Sequence, residues 1–322
     1  MSSYKIKHVT RYTYQSPVID CINQIMLYPV HDAQLEVRRH ELFISHSPGI
    51  EVFKDYFGNR VGVFSVIRPH TELLVVSEAD VITKPVQLPG NSVSAAGEWE
   101  KMSRLREQFQ FFDFLEKESF EGVTEVEALV KNLLDYNKTP FENAQALASY
   151  IFNHFEYKKG ITDVETKTDE VWKLKAGVCQ DFAHMLLVMI RRADIPARYV
   201  SGYICPKNEK MRGTGATHAW VEAYIPDYGW IGLDPTNNCI VNDGHVRLAV
   251  GRNFTDCTPV KGTYKGAGEH TLEVSVHIEN GNKVNLENPG FSPVLHNPAP
   301  NTIPLNSYQR HLENKQQEQQ QQ

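Results

Sequence analysis

The spacing of apolar residues changes near residue 90, and that change constrains the fold more than any other feature. In YKIKHVTRYTY at 4–14, Tyr4, Ile6, His8, Tyr12 and Tyr14 fall on even positions. This is the two-residue period of a strand with one buried face. Similar β-prone runs follow as LEVRRHELFI at 35–44, RVGVFSVI at 60–67 and LLVVSEADVIT at 73–83. Ser47-Pro48-Gly49, Gly58-Asn59 and Arg68-Pro69 separate them with turn chemistry. The first 85 or so residues therefore predict an antiparallel, sandwich-like unit, closed by the polar link PVQLPGNSVSAAGE from Pro85.

Helical spacing takes over beyond that link. Thr124 with Glu127 fits a capping box ahead of a run to about Tyr136. Thr139 with Glu142 fits another, with Pro140 at the first helical position and Phe141, Ala144, Leu147, Ile151 and Phe152 on one stripe. CQDFAHMLLVMIRRA, from Cys179 to Ala193, is apolar enough for a buried helix that Pro196 ends. ARYVSGYI then reads as a strand, PKNEKMRGTGA as a surface loop, and HAWVEAYI, DYG and WIGLD as strand, turn and strand. TLEVSVHI at 271–278 alternates with Leu272, Val274, Val276 and Ile278 on one side, which predicts one more strand added to a sheet. No internal repeat is visible.

The fold class expected is α+β: an N-terminal antiparallel β-sandwich-like domain, and a core in which a cysteine-bearing helix packs on an antiparallel sheet. The expected division is 1–95 for the β-rich domain, 96–260 for the core with its preceding helices, and 261–288 for a C-terminal strand segment. From 289 to 322 the chain is rich in proline, asparagine and glutamine and is expected to be disordered.

Composition narrows the class of protein. With 41% hydrophobic and 22% charged residues, the chain matches an ordinary globular protein. Its net charge of -6 and the lack of a basic run argue against nucleic-acid binding and against a polybasic membrane contact. MSSYKIKHVTRYTY lacks the apolar stretch of a secretory signal, and no segment is apolar for long enough to cross a bilayer. The 5 cysteines are odd in number and scattered, which is no disulfide framework. These features predict a cytoplasmic protein with a thiol free to react.

Cys179 follows Gly177-Val178 and stands where a helix should begin. Unpaired N–H groups and the dipole at a helix start favour a thiolate, the nucleophilic form. A lone cysteine is more often an inert core residue, so the thiol by itself decides little. His218 opens a strand after a flexible loop, where a sheet can hold a base at its edge; it is one of 13 histidines. Asp234 ends the next strand before Pro235, where a carboxylate can accept the second imidazole N–H or simply shape a turn. The hairpin through 227–229 brings the two into register range. A ladder closing at 226 and 230 sets Asp234 opposite Glu222, and even registers keep His218 and Asp234 on one face. The sequence leaves that register open. Asp181 and His184 share the helix of Cys179, and His184 stands about 140° round from it.

GVCQDFAHMLLVMIRRADIPARYVSGYI and THAWVEAYIPDYGWIGLDPTNN together resemble the core of bacterial transglutaminase-like cysteine proteases. The shared pattern is a glycine-led cysteine at a helix start, R-x-x-x-I-P-A-R-Y-V-x-G-Y, H-A-W-x-E and G-W-x-x-x-D-P-T, in that order. YKIKHVTRYTYQSPV and DYFGN at 55–59 resemble the β-rich domain that precedes this core in the family, so the likeness spans roughly 1–280. It implies a papain-like or transglutaminase-like core with a catalytic triad of Cys179 as nucleophile, His218 as general base and acid, and Asp234 as its orienter. Trp220, Trp230 and Pro235 belong to these motifs and read as packing around the site. An oxyanion hole is expected, with the N–H of Cys179 as one donor and no second donor assigned.

The implied activity is thiol-dependent acyl transfer on peptide or amide bonds, with hydrolysis favoured and a peptide, protein or amide-bearing small molecule as substrate. Transfer to an amine, as in a protein-glutamine transglutaminase, is the alternative acyl acceptor. A non-catalytic, partner-binding scaffold is the alternative outside enzymology. No cofactor is expected: Cys239, His245 and Cys257 fit no zinc spacing, and no EF-hand or phosphate-binding glycine loop is present.

Overall fold

The computed structural model describes residues 1–90, 94–163, 166–205, 211–280 and 292–294. The chain opens with five strands, β1 (Ser2–Ile25), β2 (Leu35–Ile44), β3 (Ile50–Lys54), β4 (Arg60–Val66) and β5 (His70–Thr83). Helices α1 (Ala95–Leu105), α2 (Phe112–Leu115), α3 (Val123–Leu133) and α4 (Pro140–His154) follow. Then come β6 (Glu156–Tyr157), α5 (Thr168–Leu174), β7 (Ala176–Gly177) and α6 (Cys179–Arg192). Strands β8 (Ala197–Ile204), β9 (His218–Ile225), β10 (Gly229–Asp234), β11 (Cys239–Ile240) and β12 (His245–Gly251) come next. The last strands are β13 (Val260–Lys265), β14 (His270–Asn280) and β15 (Ser292–Val294). The described residues fall into two compact units. One takes Met1–Val86, Val200–His218 and residues from Asn242 on; the other takes Gln87–Tyr199 and Ala219–Val241.

In the first unit β1 is the organising strand. Residues 2–13 pair with β5, residues 4–14 with β14, and residues 21–25 with β4; β13 pairs over 19–25, all antiparallel. The register slips between Thr13 and Val18 and between Ile19 and Ile22, and Asp20 takes a left-handed φ of 48°. Bulges of this kind let one strand turn a corner and serve two sheets. The alternation read from sequence matches the burial pattern at Tyr4, Ile6, His8 and Tyr14, which are buried with Thr10 between them, while Tyr12 is half-buried. His8 sits in that core with Nδ1 against Tyr203 Oη at 3.0 Å and Nε2 against Thr10 Oγ1 at 2.9 Å. Burial lowers its pKa to about 4, so it is neutral and structural. β14 covers the predicted 271–278 strand and gains two further residues at its end and one at its start.

The second unit is built around α6, which packs against α2, α3, α4 and α5. Phe182, Met185, Leu186, Met189 and Ile190 on α6 are fully buried. Each such side chain contributes roughly 1.5–3 kcal/mol of burial, which explains why a helix this apolar is stable only inside a core. α4 begins as read from sequence. Thr139 Oγ1 accepts from Glu142 N at 3.2 Å, Glu142 Oε2 accepts from Thr139 N at 2.8 Å, and Pro140 is the first helical residue. The strands β8 to β12 form a five-stranded sheet in the order β11-β10-β9-β8-β12.

Three local expectations need correction. The box read at Thr124 and Glu127 is absent, because α3 starts two residues earlier, at Val123, with Gly122 at its cap in left-handed conformation, φ 88°. The polar link after Pro85 runs directly into α1, capped by Ser94 Oγ accepting from Gly97 N at 3.2 Å. Ser292–Val294, inside the stretch expected to lack structure, pairs with β14. The remainder of 289–322, including the glutamine-rich end, lies outside the described residues.

Candidate active site

Cys179 is the first residue of α6. It is delivered there by β7, which pairs in parallel with β6: Glu156 with Ala176 and Tyr157 with Gly177. Lys158 N also donates to Gly177 O at 2.9 Å. The strand ends, Val178 takes extended dihedrals (φ -113°, ψ -175°), and the helix starts. Val178 has no side-chain acceptor, so its cap comes from inside the helix. Asp181 Oδ2 accepts the Val178 N–H at 2.7 Å and the Thr162 hydroxyl at 2.7 Å. Asp181 is 3% exposed, and desolvation raises its pKa to about 6 against the lowering effect of those two hydrogen bonds. Cys179 itself is 9% exposed.

His218 opens β9 and is buried. Gly213, with φ +85°, backs onto its ring: a Cβ at that position would crowd Nδ1 and lie 2.9 Å from Cε1. The loop that carries Gly213 is held by Val276 N of β14, which donates to Gly215 O at 3.0 Å. The sequence motif G-T-G thus forms a close backbone approach to an imidazole rather than a phosphate cradle.

Asp234 closes β10 and is 0% exposed. Its Oδ1 accepts from Thr236 N at 2.9 Å and Asn237 N at 3.2 Å, and its Oδ2 accepts from Asn237 Nδ2 at 2.8 Å. This is the turn role foreseen for an aspartate before proline, and it also fixes the carboxylate rigidly. The β9–β10 ladder sets Gly232 opposite Glu222 and Leu233 opposite Val221. That is two residues off the register used as an example above, but of the same parity. His218 and Asp234 therefore share a face.

One polar atom each from His218, Asp234 and His245 lies within 4.8 Å of the others, and all three residues are buried. In sequence His245 stands nearest Cys239 and Cys257, with which it fits no zinc spacing, and not with the other two. It begins β12, its ring centroid is 6.2 Å from that of His218, and its Nδ1 accepts from Asn242 N at 3.4 Å. Two imidazoles and a carboxylate are also a donor set suited to zinc or a similar ion. No spacing rule in the sequence points to His245.

Two further motif residues have structural work. Arg198 and Glu222 form an ion pair with contacts of 2.8 and 2.6 Å, and Arg198 stacks 4.3 Å over Trp230. This pair ties β8 to β9 where β9 carries the motif away from His218. His184 sits against Tyr199 with ring centroids 5.2 Å apart, and desolvation lowers its pKa to about 4.

Residues 127–235 match the Transglutaminase-like superfamily, and residues 4–82 match the Bacterial transglutaminase-like N-terminal region. An uncharacterized protein of Mycobacterium leprae is 31% identical over 277 residues, covering 85% of this chain and 97% of its own. The chain belongs to the bacterial transglutaminase-like family. A second relative in the family, from Mycobacterium tuberculosis, is 31% identical over 294 residues, with 85% and 92% covered. A protein-glutamine gamma-glutamyltransferase of Pseudomonas aeruginosa is 31% identical over 119 residues, which cover 32% of this chain and 17% of that protein. The transglutaminase-like fold is shared with a solved structure of a candidate cysteine protease from Cytophaga hutchinsonii. The TM-score is 0.69 at 22% identity, with 92% and 94% of the two chains covered. Among the described residues, no helix is long and apolar enough to cross a membrane.

Proposed function

We propose that this transglutaminase-like protein is a cysteine-dependent amidohydrolase acting on peptide or protein substrates. Cys179 is its nucleophile, His218 its general base and acid, and Asp234 the orienter of His218. The observation that carries this reading is the gathering of His218 and Asp234, both buried, within 4.8 Å at the ends of neighbouring strands. A cysteine at the first position of a buried helix supplies the matching nucleophile.

The steps balance with these three residues. His218 takes the thiol proton, and the sulfur of Cys179 attacks the amide carbonyl carbon. The tetrahedral oxyanion forms near the first turn of α6, where N–H groups are available. Its collapse breaks the C–N bond as His218 gives its proton to the leaving amine. Water, deprotonated by His218, then attacks the thioester, releases a carboxylic acid and returns the thiol. Asp234 stabilises the imidazolium formed between these steps. Transfer to an amine differs only in the second nucleophile. The γ-glutamyltransferase name of the Pseudomonas relative favours it, over about a third of this chain. Water is the default acceptor because it needs no binding surface.

The test is direct. Cys179→Ala is expected to lose at least about a thousandfold in hydrolysis of casein or peptide amides, since removing one member of such a unit costs nearly the effect of all. In iodoacetamide labelling at neutral pH, Cys179 is expected to react faster than Cys239, although Cys239 is the more exposed thiol. Undiminished hydrolysis in Cys179→Ala would remove the nucleophile assignment.

A further inference from the structure

We propose that Asp181 is a positioning residue for the acyl-transfer site, clamping the turn at 177–179 from inside α6 and setting the charge beside the nucleophile. This inference rests on Cys179 being that nucleophile.

The turn is held from outside by Lys158 N donating to Gly177 O, but it has no side-chain cap of its own. Gly177 is the last residue of β7, and Val178 cannot cap a helix through its side chain. Asp181, at the third helical position, takes the Val178 N–H at 2.7 Å and is itself fixed by the Thr162 hydroxyl at 2.7 Å. Gly177 leaves no slack: a Cβ there would lie 2.8 Å from both Cβ and Cγ of Asp181. The carboxylate is 3% exposed, so water does not compete for these bonds. Two consequences bear on the chemistry. The Val178 N–H is consumed by Asp181 and is removed from the set of oxyanion donors. The direction of the Val178–Cys179 peptide is also fixed, and with it the path of the thiol from the helix start.

The second part is electrostatic. Asp181 lies in the same first helical turn as Cys179, so its ionised form opposes the thiolate and its neutral form does not. Among the described residues, the charged group that acts on Asp181 from outside α6 is Asp163, which also disfavours ionisation; Thr162, beside it, is uncharged. The desolvated carboxyl titrates at about pH 6. The thiol therefore shares its helical turn with a carboxyl whose charge changes near pH 6.

Asp181→Asn keeps an acceptor for Val178 N–H and removes the charge, whereas Asp181→Ala removes both. In the full-length protein, Asp181→Asn is expected to keep kcat on a peptide amide within about threefold. It should also move the pH midpoint of Cys179 alkylation by iodoacetamide downward by about half a unit or more. Asp181→Ala is expected to lower kcat at least about tenfold, with KM changed less. If it fails to fold, Thr162→Val, which frees the clamp on one side, is expected to lower kcat about threefold or more. An unmoved midpoint in Asp181→Asn, or full kcat in a folded Asp181→Ala or in Thr162→Val, overturns the proposal. Wild-type Cys179 that labels no faster than Cys239 overturns instead the assignment of the nucleophile, before any variant is compared.

Discussion

At the start of α4, Glu142 Oε2 takes the Thr139 N–H at 2.8 Å; at the start of α6, Asp181 Oδ2 takes the Val178 N–H at 2.7 Å. Both carboxylates stand at the third helical position, both sit in the favourable field of a helix N-terminus, and both also bond a threonine hydroxyl. Their ionisation nevertheless moves in opposite directions. Glu142 is exposed, and its bonds to Thr139 hold its carboxyl below the ordinary value. Asp181 is buried, and desolvation outweighs the same kind of bonds and raises its pKa to about 6. Hydrogen bonds to the charged form have a similar reach at both sites; what differs is the water lost by the carboxylate. A capping carboxylate is a stability device on the surface and a charge-sensitive device in the core, and α6 carries the latter beside Cys179.

The largest effect that can break this contrast is on stability against pH. For Asp181 the folded pKa is raised, so the protonated form favours folding. Its contribution is full below the unfolded value of 3.8 and is lost as pH rises through about 6. A shift of that size is worth roughly 3 kcal/mol at 1.36 kcal/mol per pKa unit. The stability of Asp181→Asn relative to wild type is therefore expected to grow by roughly 2.5 kcal/mol between pH 4 and pH 7.5, read by urea unfolding at both pH values. Groups common to both proteins cancel in that difference. A gap that stays constant across the range would mean that Asp181 is solvated or paired, and the contrast with Glu142 would vanish. Glu142→Gln should show the opposite sign. A lowered folded pKa gives stability that is present above the ordinary carboxylate range and is lost as pH falls through the folded value.

The next effect is steric and belongs only to the α6 side. Gly177→Ala is expected to cost about 2 kcal/mol, as overpacking in a tight site does, because the new methyl meets an aspartate pinned by two hydrogen bonds. Asp181→Ala should relieve much of that cost, so the double variant is expected to be clearly more stable than additivity gives. Strict additivity would show that Gly177 and Asp181 do not share space in solution.

The same two helix starts show what a sequence reveals and what it hides. Thr139-Pro140-x-Glu142 is legible because every partner lies within four residues. The cap of α6 is not, because its first residue is a valine and the second partner of Asp181, Thr162, is 19 residues away. Thr124 and Glu127 show the converse, a local pattern that tertiary contacts override. Trp172 packs so closely on Gly122 that a Cβ there would lie 2.9 Å from its ring, and its Nε1 donates to Glu125 at 2.9 Å. These contacts accompany a start of α3 at Val123, with Gly122 as its cap. The strand runs of the first 85 residues were readable because alternation records which face is buried, and the burial of Tyr4, Ile6 and His8 bears this out. That His218 and Asp234 lie near one end of a hairpin was readable from the turn between them, whereas the register that puts them on one face was not. His245 was not, because it arrives from β12 and only the fold brings it to the other two.

The smallest effect sharpens the comparison from the surface side. Thr139→Ala removes the hydroxyl that accepts from Glu142 N at 3.2 Å and donates to Glu142 Oε2 at 2.9 Å, but it leaves the backbone bond from residue 139 to the same oxygen. The expected cost is about 1 kcal/mol near pH 7, the ordinary value of a lost N-cap. It should shrink in acid, where a protonated Glu142 has less to gain from the hydroxyl it loses. Urea unfolding of wild type and Thr139→Ala at pH 7 and pH 3.5 reads both quantities. At α6 the matching change is Thr162→Val, and the sign of its pH dependence is set by burial instead. Losing the hydroxyl there removes a bond that helps hold the charge, so the cost should be greatest above pH 6, where Asp181 is ionised, and least below it. A cost for Thr162→Val that rose toward acid would show that the hydroxyl serves the neutral carboxyl, and that the core cap does not work through its charge at all.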